Sequence, residues 1–233
     1  MTSSVTENLV RIRERMADAA RRAGRDPDRI SLVAVTKGVP VEKVREAVLS
    51  GAGVLGENRV QEALGKMAAV DGAVRWHLIG HLQHNKVRHA VGRFDLIHSL
   101  DRSDLAREMD ARAARADVRQ RVLIQVNVSG EGSKHGVSPD GLEALARETA
   151  GLPHLALEGL MTIPPLADDP EASRPYYRCL AGLAEGLKKE GFLLPELSMG
   201  MSNDFEIAIG EGATMVRVGT AIFGPRPAPE EEA

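Results

Sequence analysis

Eight short apolar runs alternate with amphipathic stretches along this chain, and that alternation limits the fold more than any other feature. The runs are Ile30–Thr36, Gly53–Leu55, Arg75–Ile79, Leu96–Ser99, Val122–Val128, Ala156–Met161, Glu196–Met199 and Met215–Val218. Helical spacing fills the gaps, over Val41–Ser50, Arg59–Ala69, Gln83–Val91, Arg102–Ala116, Pro139–Gly151, Pro170–Gly191 and Asp204–Ile209. Strands that alternate with helices pair in parallel, because each crossover returns the chain to the same sheet edge. Eight of them predict a closed (β/α)8 barrel of the TIM type, with an open doubly wound sheet as the alternative. An extra helix precedes the first strand. Ser4 and Glu7 fit a capping box, Val5, Leu9, Ile12, Met16 and Ala20 repeat at helical spacing, and Gly24 supplies a stop. One domain is expected over residues 1–226, with the Pro- and Glu-rich tail 227–233 disordered.

Composition narrows the function classes. The 233 residues carry a net charge of −3 and only 3% aromatics, which argues against a nucleic-acid surface built from basic stripes and stacking rings. No apolar run reaches the ~18 residues of a membrane span, and the charged N-terminus has no signal core. The single cysteine, Cys179, cannot close an internal disulfide and reads as inert packing in a helix, so a reducing cytoplasm is the expected compartment.

In a parallel barrel the C-terminal ends of all strands meet at one mouth, where ligands bind. The last two strands are followed by Gly/Ser-rich and Gly-Thr turns, Gly200-Met201-Ser202 and Gly219-Thr220. Small residues let backbone N–H groups approach an anion, so these turns are candidates for holding a phosphate. Ordinary capping, with Asn203 and Glu206 as a capping box, is the plainer reading. Lys37 ends the apolar run ISLVAVT. A lysine there commonly just reaches water, but at a barrel mouth it can form a Schiff base. Phosphate-binding turns facing a Schiff-base lysine describe pyridoxal phosphate. Arg217 interrupts the last apolar strand and must either pair inside the barrel or face a polar ligand. Against a pyridine nitrogen it would keep that nitrogen unprotonated, because guanidinium does not surrender its proton. His77, His81 and His84 lack a supporting Cys, Asp or Glu set, so no metal site is assigned.

The segments VAVTKGVP (33–40), GENRVQEALGK (56–66), WHLIGHLQHNK (76–86), SKHGV (133–137), GLMTIPP (159–165) and MGMSND with GATMVRVGTAIFG (199–224) together resemble the pyridoxal phosphate homeostasis protein family, the YggS/PROSC-like proteins. The resemblance runs from about residue 7 to residue 226. It implies a single barrel like that of alanine racemase, of the fold-type III class, with pyridoxal 5'-phosphate as cofactor on Lys37. It further implies that Ser202, Gly219 and Thr220 hold the phosphate, that Arg217 faces the pyridine nitrogen, and that Asn58 and His77 line the ring with Met201 nearby. His81 stands where the family commonly has Pro, and the surroundings of Gly38 also depart from its pattern; both flank the site.

The resemblance implies a cofactor-binding protein of intracellular pyridoxal phosphate homeostasis, with apo-enzymes that use the cofactor as recipients. The alternative is a pyridoxal phosphate-dependent amino-acid racemase. Racemisation needs a proton donor and acceptor on each face of the cofactor, and Lys37 serves one. The chain ends soon after Gly224, leaving no length for a second domain to bring the other, and Tyr176 and Tyr177 fall far from any strand end. A non-enzymatic, monomeric binding protein is therefore expected.

Overall fold

The computed structural model describes residues 4–132 and 134–225; the expected disordered tail lies outside them. The elements follow in the order α1 (Val5–Arg22), β1 (Ser31–Val35), α2 (Val41–Leu49), β2 (Val54–Glu57), α3 (Val60–Met67), β3 (Arg75–Leu78), α4 (Val87–Ala90), β4 (Leu96–Leu100), α5 (Ser103–Arg115), β5 (Gln120–Gln125), α6 (Pro139–Ala150), β6 (Leu155–Met161), α7 (Arg174–Lys189), β7 (Glu196–Ser198), α8 (Phe205–Gly210), β8 (Met215–Val218) and α9 (Thr220–Phe223). The strands close into a barrel in sequence order, every neighbouring pair parallel and β8 returning to β1, with Val33 opposite Arg217. The closed sheet decides against the open doubly wound alternative.

Strand alternation divides the core in two. Leu32 and Ala34 face the helix ring, whereas Val33 and Val35 turn into the barrel with Val54, Leu96, Leu123, Met161 and Met215. Two residues further towards the mouth, the inward positions turn polar: His98 follows Leu96 and Arg217 follows Met215. Gly56 leaves the space that Val33 needs inside, since a Cβ there would stand 2.7 Å from Val33 Cγ1.

The N-terminal helix is held as its sequence predicts. Ser4 Oγ accepts from Glu7 N–H, and Glu7 Oε2 accepts from Ser4 N–H. Its apolar stripe, from Val5 to Ala20, is buried. The helix packs against α2 and α8, with Asn8 Nδ2 donating to Ile222 O and Arg15 paired to Glu206 at 3.1 Å. It thereby covers the part of the ring that the four-residue α9 leaves thin.

Several local expectations are corrected. Glu206 is taken by Arg15, and α8 is entered from Asp204 with no side-chain cap, so the Asn203/Glu206 capping box does not form. Gln83–Val91 is a 3-10 turn at His84–Lys86 leading into the short α4. The fifth strand starts earlier and stops at Gln125, because the chain then turns to bridge Val126 to Val137. Cys179 is exposed on α7, not packed.

Candidate functional site at the barrel mouth

The two turns at the end of the barrel form one structure. Ser202 Oγ accepts from Gly219 N–H at 3.2 Å and lies 3.4 Å from Ala221 N, so the turn after β7 is pinned to the start of α9. Both turns depend on missing side chains. Gly200 has φ +92°, and a Cβ on it would meet Ala208 Cβ at 2.5 Å. A Cβ on Gly219 would press on Val35 at 3.3 Å. Asp204 Oδ1 accepts from Met201 N–H at 2.7 Å and fixes the turn from below. The result is a cradle of backbone and hydroxyl groups with no acidic side chain in the turn tips.

A cavity of about 270 Å³ opens over this cradle, and its wall includes Asn58, Met201, Ser202, Arg217, Gly219 and Thr220. These are six of the eight residues singled out in the sequence. Lys37 stands in the wall of an adjoining cavity, which shares Asn58 with the first. His77 is in neither wall: it is buried inside the barrel on β3.

Arg217 is the buried centre of the site, and its partners were not foreseen. Its Nη1 donates to Ser198 Oγ at 2.6 Å, and its Nη2 donates to Thr162 O at 2.7 Å. Ser198 Oγ lies 2.9 Å from His98 Nδ1, and His98 Nε2 lies 3.0 Å from His77 Nδ1. Arginine can only donate, so Ser198 Oγ accepts from Arg217, and the hydroxyl and the two imidazoles continue the line of hydrogen bonds to His77 Nδ1. The line ends at His77 Nε2, a buried atom with no partner among the described residues. Burial keeps both imidazoles neutral: it lowers the His77 pKa to about 3 and that of His98 well below the usual histidine range, with cationic neighbours adding to both. Burial also brings Arg217 down to about 10, still charged at neutral pH. Alternation along β3, β4 and β7 places these side chains inside the barrel, but isolated His and Ser residues in strands give no sequence signal of a relay.

Lys37 is positioned differently. Lys66, buried on α3, donates from Nζ to Thr36 O, to Glu57 Oε1 at 2.6 Å and to Glu62 Oε1 at 2.7 Å. Glu62 Oε1 also accepts from Gly38 N–H at 2.6 Å. The backbone is thus tied on both sides of Lys37, while the lysine side chain makes no hydrogen bond or ion pair with the described residues. Gly38 turns the chain at φ +68°, a conformation that favours glycine. The i, i+4 spacing of Glu62 and Lys66 is readable in the sequence, but the convergence with Thr36 is not.

Tyr177 is fully buried, and burial and the nearby Asp204 carboxylate raise its pKa, so its phenol stays protonated. His81, Asp101 and His135 come together at the rim of the mouth, with the two rings stacked at 3.8 Å. Near-parallel rings at that separation cannot both aim a nitrogen at one ion, so the cluster is not assigned as a metal centre.

The residues fit pyridoxal phosphate: a cradle of backbone and hydroxyl groups for a phosphate, whose one acid in the wall, Asp204, is taken up by Met201 N–H and Ser173 Oγ, a fixed cation beside it and an uncommitted lysine amine in the adjoining cavity. Comparison with known proteins agrees. The model of the alanine racemase N-terminal domain family matches residues 8–227. The pyridoxal phosphate homeostasis protein of Aquifex aeolicus is 50% identical over 222 residues, covering 94% of this chain and 97% of that protein. The protein of the same name from Escherichia coli K12 is 41% identical over 96% of this chain and 97% of its own. Among solved structures, PipY of Synechococcus elongatus with pyridoxal phosphate bound superposes with a TM-score of 0.84 at 35% identity, covering 95% of this chain and all (100%) of PipY. Alanine racemase of Clostridium difficile shares the fold, with a TM-score of 0.73 at 15% identity, and this chain spans 58% of it. By these matches the chain belongs to the alanine racemase N-terminal domain family and, within it, to the pyridoxal phosphate homeostasis proteins.

Proposed function

We propose that this protein binds pyridoxal 5'-phosphate in the cytoplasm as a monomeric, non-enzymatic component of cofactor homeostasis, holding it as a Schiff base on Lys37 and yielding it to apo-enzymes. The observation that carries this reading is the cradle of Ser202, Gly219 and Thr220 in one cavity with Arg217, beside Lys37. The cofactor bound in PipY, and the shared name of the relatives, support it.

Each group has a defined part. The backbone N–H groups at the start of α9 and the Ser202 hydroxyl bind phosphate. Asn58 and Met201 bound the ring, and Arg217 donates towards its nitrogen. His77 acts from behind, as the last member of the hydrogen-bonded chain that orients Arg217. When bound, pyridoxal phosphate supplies an aldehyde that condenses with an amine and can draw electrons from it. Arg217, charged and donor-only, leaves the ring nitrogen unprotonated and so keeps that electron withdrawal weak. Tyr177, buried and held protonated, does not provide a second base.

The test is reduction of the purified protein with borohydride followed by peptide mapping. The cofactor mass is expected on the peptide that contains Lys37, and Lys37→Ala is expected to be colourless. A label on another lysine overturns the assignment. Incubation with L-alanine in deuterated water decides between binding protein and racemase: rapid formation of the D-isomer, at the ~1–10³ s⁻¹ usual for enzymes, defeats the non-enzymatic reading.

A further inference from the structure

On the far side of Asn58 from the cradle lies the second cavity, of about 390 Å³. Lys37, Arg59 and Lys86 reach it from the loops after β1, β2 and β3, and no Asp or Glu lines it. None of the three cations makes a hydrogen bond or ion pair with the described residues. The acids on this side of the barrel are committed elsewhere. Glu57 and Glu62 are both gathered by Lys66, and Asp101 is paired to Arg102 at 2.7 Å. One buried lysine therefore takes two carboxylates, and three cations line the cavity with no carboxylate beside them in its wall.

The other polar groups in the wall are the imidazole of His81, turned to Asp101 at 3.5 Å, and the carboxamides of Asn58, Gln61 and Gln83, which suit the in-plane hydrogen bonding of a carboxylate. The close packing of Gly80 on Asn58 keeps the wall between the two cavities in place, since a Cβ on Gly80 would stand 2.3 Å from Asn58 O. Through Lys37, the anion cavity touches the place where the cofactor carbon is held.

We propose that this cavity is the subsite of a small α-amino acid, its carboxylate taken by Arg59 and Lys86 and its amino group turned towards Lys37. The inference rests on the cofactor reading above. The exchange it allows is balanced: the cofactor carbon passes its double bond from Lys37 Nζ to the nitrogen of the incoming neutral amine, and with both imines protonated one proton passes from that nitrogen to Nζ, which leaves as a free amine. No oxidant or reductant is needed.

The experiment titrates the cofactor-loaded protein with L-alanine and with L-alaninamide, following the absorbance of the Lys37-bound cofactor. The ratio of their half-effective concentrations is compared between wild type and the double variant Arg59→Gln, Lys86→Gln. The amines differ in basicity, and that difference cancels in the comparison. The preference for alanine is expected to fall by roughly tenfold in the variant, the lower end for charge-assisted hydrogen bonds that water partly reaches. An unchanged ratio overturns the subsite. A second arm titrates propionate into cofactor-free protein, with binding read by calorimetry. Wild type is expected to bind it and the double variant is not. Absence of wild-type binding, or displacement of propionate by equimolar inorganic phosphate, overturns the carboxylate assignment. If no lysine-bound cofactor absorbance develops at all, the cofactor reading fails on its own, and the propionate arm still decides the anion cavity.

Discussion

Arg217 and Lys37 stand on two sides of one barrel mouth and are held in opposite ways. Arg217 is fixed by its side chain, with Ser198, Thr162 and the two histidines behind it accounting for the guanidinium and each other. Lys37 is fixed by its backbone, through Lys66 on Thr36 and Glu62 on Gly38, and its amine is uncommitted. The difference matches what each group must do. A cation that sets the electrostatics of a ring has to stay still, so two of its N–H donors are anchored from behind and the rest are left for the ring. An amine that forms and releases a covalent bond has to be reachable, so the order is placed in the chain on either side of it and the nucleophile is left out.

The largest effect is expected from Lys66→Met. It strands Glu57, whose side chain is 0% exposed, and removes one of the two hydrogen bonds that Thr36 O accepts on the N-terminal side of Lys37. Removing one member of a buried ion pair costs about 3–5 kcal/mol, so a loss of that size is expected in chemical denaturation. The protein that still folds should bind pyridoxal phosphate with little imine absorbance, because the lysine is no longer presented. A normal imine band in Lys66→Met would show that backbone tethering is not what positions Lys37.

Ser198→Ala tests the other side. It removes one acceptor of a buried guanidinium and the hydrogen-bond partner of His98 Nδ1, for an expected loss of roughly 1.5–3 kcal/mol. Here the imine should still form on Lys37, and its absorbance maximum should move, since Arg217 is released from its fixed direction. The two variants should therefore separate formation of the imine from its spectrum.

The smallest effect concerns pH. Folded His77 titrates near 3 through burial, against 6.5 for the free side chain, so the unfolded chain binds the additional proton between those values. The stability that His77 contributes is fully present above pH 6.5 and is lost as the pH falls towards 3. At pH 5 the loss is about 2 kcal/mol, from ~1.4 kcal/mol per pH unit over one and a half units. His77→Asn keeps a polar carboxamide facing His98 Nε2, able to donate or accept, and has no proton to gain. Its stability is expected to fall less steeply than that of wild type between pH 7 and pH 5 in urea denaturation. Parallel curves would show that His77 does not carry the difference.

Much of this molecule was legible before its fold was known. The last strand, Met215–Val218, and the Ser4 cap lie where the sequence places them, because both are local: strand alternation and a three-residue hydrogen bond need no distant partner. The mouth residues could be listed because a parallel barrel sends all strand C-termini to one end. Their grouping could not. Asn58 faces both cavities, Lys37 belongs to the second, and His77 drops out of both walls, since a one-residue step in a strand decides which way a side chain points.

Local sequence carries the alternating elements, their parallel pairing and the turn chemistry of Gly200, Ser202 and Gly219, all properties of short stretches of chain, whereas the closure of the sheet is a property of the fold. Tertiary structure alone decided that Arg217, Ser198, His98 and His77 form one line of hydrogen bonds, and that Lys66 collects two acids beneath Lys37. Apart from the Glu62–Lys66 pair on one helix, those contacts join residues from 9 to 100 positions apart. Their partners are chosen by the register and closure of the barrel, which no single segment encodes.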